Sequence, residues 1–425
     1  MPAVLIERQE QAVTIQLTIP LSRSLLATEE AIQQALNDAG VLATAEALQQ
    51  FDTDGSPLLF GQTAWTSKGQ EPKAYQCPYG EVVVARHLYQ TAQGGATFCP
   101  LEQDARILLS ATPRFAKQLS HKYAEMSGGK TVADLASNHG RAVSLAFVQD
   151  VAEAVGSVAQ AKEETWHYQT PRLPQAVRTV SVGLDGTCTL LVEDGGRQVM
   201  VGTISLYDSQ GERQHTIYVG ATPEYGKATF YQRLQREIEH VQQLYPQARL
   251  TGVADGAKDN WDFLGQYTDD QAVDYYHAAG YVRLAAHAAY PRQRAEREEW
   301  VTHWCHRLKH ERGAARAFLG ELDTLAAKEL SETVRAGLEK ARTYFGNHHH
   351  QMNYAERLAA QLPIGSGVTE AACKTLVKQR LCKAGQRWKE AGAGIVLSLR
   401  ALSYTAGRWE QFWAKVDRHG FTRAA

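Results

Sequence analysis

Three acidic residues have the chemical type and the sequence surroundings of a metal-dependent site. Asp185 and Asp255 each follow an apolar, β-branched run, and Glu370 lies near the start of a segment with helical periodicity. Carboxylate oxygens are the ligands that Mg²⁺ prefers, and two such ions activate an attacking oxygen and stabilise a leaving oxygen at phosphorus. Three converging carboxylates would therefore support phosphodiester hydrolysis followed by strand transfer from a 3′-hydroxyl.

Each of these acids also has a purely structural interpretation. Both aspartates precede a glycine, and an Asp-Gly pair is by itself a strong turn signal. Glu370 is also consistent with a first-turn glutamate that the helix dipole favours. Only the combination of the three acids favours chemistry over these local roles.

The segment that carries Glu370 runs from Pro363 to Trp388 (PIGSGVTEAACKTLVKQRLCKAGQRW) and predicts a helix. The helix is expected to begin after a Gly-Ser-Gly turn, with Ser366 or Thr369 as its N-cap, and to end before Gly385. Its core-facing stripe is predicted to consist of Cys373, Val377, Leu381 and Ala384. Glu370 falls within the width of that stripe, and a buried carboxylate is costly unless it is paired or binds a metal.

The elements that must position the aspartates lie between residues 171 and 282. Apolar and β-branched runs predict three strands, an amphipathic helix and a fourth strand, in the order Val177–Leu184, Gln198–Tyr207, Arg213–Gly220, Lys227–Leu244 and Arg249–Ala254. Ala272–Tyr276 is a candidate for a fifth strand. With one acid just past the first strand and another just past the fourth, this layout is typical of an RNase H-like sheet.

The predicted fold class is therefore α/β (α+β), with an RNase H-like mixed sheet flanked by helices. Residues 283–362 have an almost entirely helical pattern and predict an all-helical insertion into that core. Residues 363–425 then return to the catalytic core and supply its final helices and a basic tail.

The N-terminal region, residues 1–110, predicts a strand at Val13–Ile19, a helix at Leu25–Gln50 and a β-hairpin within Pro78–Pro100, joined at Gly94-Gly95. Cys77 and Cys99 flank the hairpin. Without nearby partners, these two cysteines favour core thiols over metal ligands.

Residues 111–170 predict three helical pieces separated by short turns that contain glycine. This order is typical of a helix-turn-helix DNA-binding segment, in which Arg141, Ser144 and Gln149 would face the DNA. A plain three-helix bundle is the alternative.

Composition and charge restrict the class of protein. The six cysteines are scattered without a CxxC pair, which favours a reducing cytosol. The sequence contains no run of about 18 apolar residues, so no membrane span is predicted. Residues 1–60 carry two basic and eight acidic residues, whereas residues 370–425 carry eleven basic and four acidic ones. Positive charge therefore gathers around Glu370, where a phosphate backbone would bind, although solvated surface lysines and arginines give the same pattern.

Several blocks of the sequence resemble the DDE transposases of the ISKra-type insertion-sequence family. They are PYGEVVVARHLYQ (78–90), the CPLE that starts at Cys99, DGAKDNW (255–261), DYYHAAGYV (274–282) and the long block at 363–388. The resemblance implies an RNase H-like core interrupted by helices and a triad of Asp185, Asp255 and Glu370 that holds two Mg²⁺ or Mn²⁺ ions. The implied activity is DNA cleavage at the ends of a mobile element.

The same resemblance implies the partners and further site residues. The partners are the terminal inverted repeats and target DNA, bound by a homodimer, in the cytoplasm and nucleoid of a prokaryote. His277 would act as an accessory residue that orients a phosphate or a water, unless it is simply a core histidine. Phosphates would be held by Lys374, Lys378, Arg380, Lys383 and Arg387. Trp388 would stack on an unpaired base, or else pack in the fold.

Two other functions remain as alternatives. One is an RNase H-like, structure-selective nuclease without strand transfer, which only an assay for DNA joining separates from a transposase. The other is a catalytically idle DNA-binding protein derived from a transposase, which the presence of all three acids disfavours.

Overall fold

The computed structural model describes residues 3–192, 194–221 and 227–421, so the ends of the predicted segments 1–110 and 363–425 lie outside the described residues. The chain divides into two compact units. Unit 1 takes in the described residues up to Tyr168, Ser398–Ser403 and the residues from Arg408 onward. Unit 2 comprises Gln169–Leu397 and Tyr404–Gly407.

Unit 1 combines two antiparallel sheets with helices. Its strands are β1 (Ala3–Arg8), β2 (Val13–Leu17), β3 (Leu58–Phe60), β4 (Thr63–Gln76), β5 (Glu81–Thr91) and β6 (Gly94–Phe98). Its helices are α1 (Leu25–Gln49), α2 (Pro100–Asp104), α3 (Pro113–Glu125), α4 (Gly128–His139), α5 (Leu145–Lys162) and, near the end of the chain, α16 (Arg408–His419). β1 pairs with β2, and β3, β4, β5 and β6 form the second sheet in that order.

The long helix, the hairpin and the three short helices of this region were predicted from the sequence, whereas β1, β3 and β4 were not. β4 was missed because its sequence contains Gly69 and Pro72, which usually interrupt strands. Gly69 has a positive φ of 98° where the register with β5 shifts, and Pro72 lies opposite Ala85 on β5. A bulge thus accommodates the break in the pattern.

The prediction that Arg141 faces DNA is wrong. This side chain lies between α4 and α5 and is only 6% exposed. Its guanidinium donates to the Cys77 carbonyl at 3.1 Å and to the Gln76 side chain at 2.6 Å, and it lies over the Phe115 ring. Arg141 therefore joins the helices to β4 inside unit 1. Cys77 and Cys99 are free, buried thiols, as the sequence indicated.

Unit 2 contains a mixed sheet and many helices. Its strands are β7 (Thr179–Leu191), β8 (Gly195–Tyr207), β9 (Arg213–Ala221), β10 (Arg249–Ala254) and β11 (Asp270–Val273). Its helices are α6 (Ala228–Leu244), α7 (Lys258–Leu264), α8 (Tyr275–Ala289), α9 (Arg294–His310), α10 (Ala314–Ala326), α11 (Glu332–His348), α12 (Tyr354–Ala359), α13 (Gly367–Ala372) and α14 (Gln379–Leu381). Helix α15 (Glu390–Tyr404) is divided between the two units.

The sheet of unit 2 has the strand order β11-β10-β7-β8-β9. The first three strands in the sequence form an antiparallel meander, and β10 and β11 are then added in parallel on the other side of β7. Each of these strands was predicted, but the end of the first was not. β7 continues to Leu191, so Asp185 lies inside a strand opposite Val201 and its Asp-Gly pair forms no turn.

The helices α8 to α12 have a core of their own. Trp304, Phe318 and Phe345 are buried in it, together with alanines and leucines from α8 to α11 and with Tyr354 from α12. Arg357 on α12 is almost fully buried and joins this group to the sheet, because it pairs with Asp270 and donates to Thr251 at 2.6 Å. Across the described residues, no helix has the length and apolar character needed to cross a membrane.

Glu102, from the CPLE block, is the centre of a charged network in unit 1. One of its carboxylate oxygens accepts from Lys73 at 2.7 Å, from Tyr75 at 2.8 Å and from Arg86 at 3.3 Å. Burial acts to raise the pKa of Glu102, but the donors outweigh it and lower that pKa below its usual value of 4.5. The block therefore has a structural role on the β4–β5 sheet.

We predict that Glu102→Gln lowers the free energy of unfolding by about 1–3 kcal/mol at pH 7, because the charged acceptor of three donors is lost. A carboxylate whose native pKa is lowered stabilises the fold above its unfolded pKa and ceases to do so as the pH falls through the native value. Urea unfolding between pH 7 and 3 should show the difference from wild type shrinking below about pH 4.5. Glu71→Gln, at an exposed position on β4, is the matched control, and a difference as large at pH 3 as at pH 7 would contradict the prediction.

Candidate active site

Two of the predicted catalytic acids lie on neighbouring parallel strands or directly after them, Asp185 inside β7 and Asp255 just after β10. Val253 on β10 pairs with Gly183 on β7, and Asp255 and Asp185 each follow two residues later. Equivalent positions on adjacent parallel strands are neighbours across the sheet. Asp185 and Asp255 are therefore close in register at the β7–β10 pair, although the sequence had placed Asp185 just past the end of its strand.

A third aspartate, Asp274, directly follows the next strand, β11. Ala254 on β10 pairs with Val273 on β11, and the Asp274 amide donates to the Ala254 carbonyl at 2.8 Å. The Asp274 side chain is completely buried and caps α8, since its Oδ1 accepts from the His277 amide at 2.7 Å. Its Oδ2 accepts from both the amide and the hydroxyl of Ser366, the hydroxyl at 2.9 Å.

Four polar contacts keep Asp274 ionised in the interior. Burial acts to raise the pKa of its carboxyl, but the hydrogen bonds from His277 and Ser366 lower that pKa. The strand end, the start of α8 and the Gly365–Gly367 turn thus converge on one buried negative charge.

The helix that carries Glu370 rests on the sheet through its neighbour, Thr369. The Thr369 side chain is buried and its hydroxyl lies 2.7 Å from that of Thr203 on β8. A Cβ atom at Gly183 would lie 2.2 Å from the Thr369 hydroxyl, so only a glycine at this strand position permits the contact. The close approach fixes α13 over the strand that carries Asp185.

Glu370 itself is exposed, which corrects the prediction that it lies on the buried face. Its side chain is 48% exposed, whereas the predicted stripe residues Cys373, Val377 and Leu381 are buried and Ala384 is exposed. Helical periodicity over so few residues did not resolve which side of the stripe the glutamate takes.

The segment around Glu370 is not a uniform helix. After α13, Cys373–Lys378 form a π-helical stretch, and α14 ends at Leu381, earlier than predicted. Ser366 occupies the N-cap position, but its hydroxyl bonds to Asp274 and lies 3.3 Å from Glu370 Oε1 instead of capping the helix. Short π-helical insertions frequently occur at functional sites.

An open cleft of about 660 Å³ contains two of the three predicted acids. Its lining includes Asp185, Glu370, His277 and Cys373, with Lys374 and Lys378 beside them. The Cys373 thiol donates to Asp185 Oδ2 at 3.6 Å, and burial raises the pKa of this thiol, so it remains protonated. A protonated donor and two cations thus surround the carboxylates.

His277 projects into this cleft and is not a core histidine. Its ring is 45% exposed, and Nδ1 lies 3.3 Å from Asp274 Oδ1 and 3.6 Å from Glu370 Oε1. The hydrogen bond to Asp274 raises the pKa of His277, the charges of Glu370 and Asp255 act in the same direction, and burial opposes them. Asp274 therefore keeps the imidazole protonated up to a higher pH than that of an unperturbed histidine.

Asp255 is supported by a residue that sequence reasoning missed. The Tyr344 hydroxyl on α11 donates to the Asp255 main-chain carbonyl at 3.2 Å, and the Tyr344 ring stacks on Tyr281 with centroids 3.9 Å apart. The Asp255 carboxylate accepts from the Ala257 amide at 3.2 Å. Tyr281 lies in the block 274–282, but no sequence signal pointed to Tyr344.

The donor atoms suit a hard cation. Among the described residues, Asp274, His277 and Glu370 have potential ligand atoms that all lie within 4.8 Å of one another. Asp274 is a poor ligand, however, because both of its oxygens already accept hydrogen bonds and it is fully buried. Asp185 and Glu370 line the open cleft, and such carboxylate oxygens fit Mg²⁺ or Mn²⁺.

The predicted phosphate-binding residues differ in exposure. Lys374, Lys378, Lys383 and Arg387 are exposed, and the first two line the cleft. Arg380 is 1% exposed and lies over the Trp388 ring, so the prediction that it holds a phosphate is wrong. Trp388 donates from its indole to the Leu381 carbonyl at 3.0 Å, which favours packing over base stacking.

Neither the protein-family models nor the curated proteins match this sequence. The functional interpretation therefore depends on the sheet topology, the cleft and the sequence blocks. Two supporting residues of the cleft, Ser366 and Asp274, lie inside the blocks at 363–388 and 274–282, which connects those blocks to its architecture.

We predict that Asp274→Ala lowers the free energy of unfolding by about 2 kcal/mol or more. The substitution removes a helix cap and leaves the buried Ser366 amide without an acceptor. Urea unfolding monitored by tryptophan fluorescence measures the loss. Glu370→Gln is the comparison, since an exposed side chain should change stability by no more than about 0.5 kcal/mol. Equal midpoints for Asp274→Ala and wild type would show that the capping role is misassigned.

Proposed function

We propose that this chain is a DNA transposase of the DDE type, with an RNase H-like catalytic core interrupted by the helices α8 to α12. The observation that carries the proposal is the placement of Asp185 and Asp255, each two residues beyond the paired Gly183 and Val253 of β7 and β10, with Asp185 in a cleft that also contains Glu370. The strand order, with a three-stranded meander and two added parallel strands, supports the RNase H-like assignment.

The triad of Asp185, Asp255 and Glu370 would hold Mg²⁺ or Mn²⁺, two ions in each site. When bound, the ions would supply an activated attacking oxygen and stabilise the leaving oxygen of a phosphodiester. Lys374 and Lys378 would bind the phosphates of the strand that enters the cleft. His277, held by Asp274, would present a cationic imidazole to a non-bridging phosphate oxygen or orient a water.

The proposed partners are the terminal inverted repeats of an insertion sequence and its target DNA. The helices α3 to α5 are candidates for recognising the repeats, although Arg141 is excluded from that role by its burial. Two DNA ends must be brought together, so we propose a homodimer. The proposed compartment is the prokaryotic cytoplasm, with the protein associated with the nucleoid.

We predict that Glu370→Gln abolishes DNA cleavage and joining, with a loss of at least about 100-fold in rate, but leaves DNA binding intact. The substitution removes a metal-binding charge while nearly keeping the shape of the side chain. The assay incubates protein with the DNA that flanks its gene and with Mg²⁺ or Mn²⁺. Glu332→Gln is the matched control, because Glu332 is an exposed first-turn glutamate on α11, away from the cleft.

The outcomes separate the candidate functions. Joining of element ends to target DNA by wild type, lost in Glu370→Gln, supports a transposase. Cleavage without joining supports the structure-selective nuclease, and DNA binding without either step supports a catalytically idle DNA-binding protein. Equal activity of both proteins would remove Glu370 from the chemistry.

We also predict that Lys374→Ala combined with Lys378→Ala weakens DNA binding and reduces its salt dependence. Each lost phosphate contact should lower the slope of log affinity against log salt concentration by about 0.9. Fluorescence anisotropy at several salt concentrations measures both effects. The control pair, Lys328→Ala with Lys340→Ala, removes two exposed lysines elsewhere in unit 2, and an equal effect of the two pairs would argue against a phosphate-binding cleft.

A further inference from the structure

A second groove, of about 400 Å³, adjoins the cleft of the acids. It is lined by Tyr276, His277, Gly280, Tyr281, Leu284 and Glu370. His277 and Glu370 belong to both depressions, so the two are continuous. Depressions of this volume bind small ligands in many proteins.

The two depressions differ in chemistry. The groove has a mostly apolar and aromatic wall, in which Tyr276 is 70% exposed and Leu284 is also exposed. Tyr276, Gly280 and Leu284 are spaced four residues apart on α8, so they form one helix face. The neighbouring cleft carries carboxylates and the cations Lys374 and Lys378.

We propose that the groove binds a single unstacked nucleobase of the DNA strand whose phosphate lies in the neighbouring cleft. The inference rests on the proposed function, because it assumes that DNA is the ligand of the cleft. A nucleotide matches the pair of depressions, since its phosphate is anionic and its base is a flat π-system that stacks on tyrosine. A base taken out of the duplex would place the adjacent phosphodiester beside Glu370.

Gly280 provides a second indication. It lies inside α8, where glycine is less favourable than alanine. A Cβ atom at this position would meet nothing within 4 Å, so the packing of the protein does not require a glycine. Gly280 lines the groove, and the groove stays open at this position because glycine has no side chain.

Gly280→Leu therefore tests the groove without disturbing the fold. A helical side chain extends toward the N-terminus of its helix, so the leucine would cover the turn that contains Tyr276. Gly320→Leu is the matched control, because Gly320 is an exposed glycine inside α10 with equally open space around its Cβ position. Tyr276→Ala removes the exposed ring, and Tyr276→Phe restores it without the hydroxyl.

The probes are two DNA duplexes that differ in one unpaired nucleotide, which carries 2-aminopurine in the first and lacks a base in the second. Fluorescence anisotropy in Ca²⁺ measures affinity, and quenching of 2-aminopurine reports stacking. Wild type and Gly320→Leu should bind the first duplex about tenfold more tightly and quench its fluorescence. Gly280→Leu and Tyr276→Ala should bind both duplexes equally, and Tyr276→Phe should recover the preference.

Failure of this inference differs from failure of the proposed function. If wild type cleaves and joins element ends but binds both duplexes equally, the base site is overturned and the transposase proposal stands. A base preference that persists in Gly280→Leu also overturns it. If the preference depends on the groove but no DNA is cleaved, the base site is supported and the catalytic proposal is contradicted. Absence of DNA binding overturns both.

Discussion

The buried carboxylate of Asp274 is the interaction on which the architecture of the cleft depends. It accepts hydrogen bonds from the first turn of α8 and from the turn that precedes α13, while its own amide extends the β10–β11 pairing. A buried charge is tolerated only when donors satisfy it, and here the donors come from distant segments. This requirement fixes His277 on one side and, through Ser366, Glu370 on the other.

The sheet places a steric constraint on α13, the helix that carries Glu370. Thr369 packs on the sheet because Gly183 has no side chain, and its hydroxyl bonds to Thr203. Thr369 and Ser366 thus hold two points of one short helix, and Glu370, which follows directly, has little freedom of position. The helices α8 to α12 contribute in turn, since Tyr344 supports the turn that carries Asp255.

The sequence predicted the succession of strands along unit 2 because apolar, β-branched runs are local signals that survive tertiary packing. It placed Asp185 at a strand end because the strand loses its apolar character there, whereas pairing with β8 extends β7 to Leu191. The sequence alone did not indicate that Arg141 and Arg380 are buried. Whether an arginine lies inside depends on acceptors far away in the chain, such as the Cys77 carbonyl for Arg141.

The balance of charge in the cleft is compatible with the nucleic-acid ligand proposed above. Asp185 and Glu370 carry like charges in one cleft, and the positive charges of Lys374 and Lys378, which line the same cleft, offset their repulsion. A cation bound by the acids would free these groups to interact with an anion. Under the proposed function a phosphodiester would be this anion, and its nucleotide would bring a base to the aromatic groove, which shares His277 with the cleft. Under that proposal a single nucleotide would occupy both depressions, because they share His277 and Glu370.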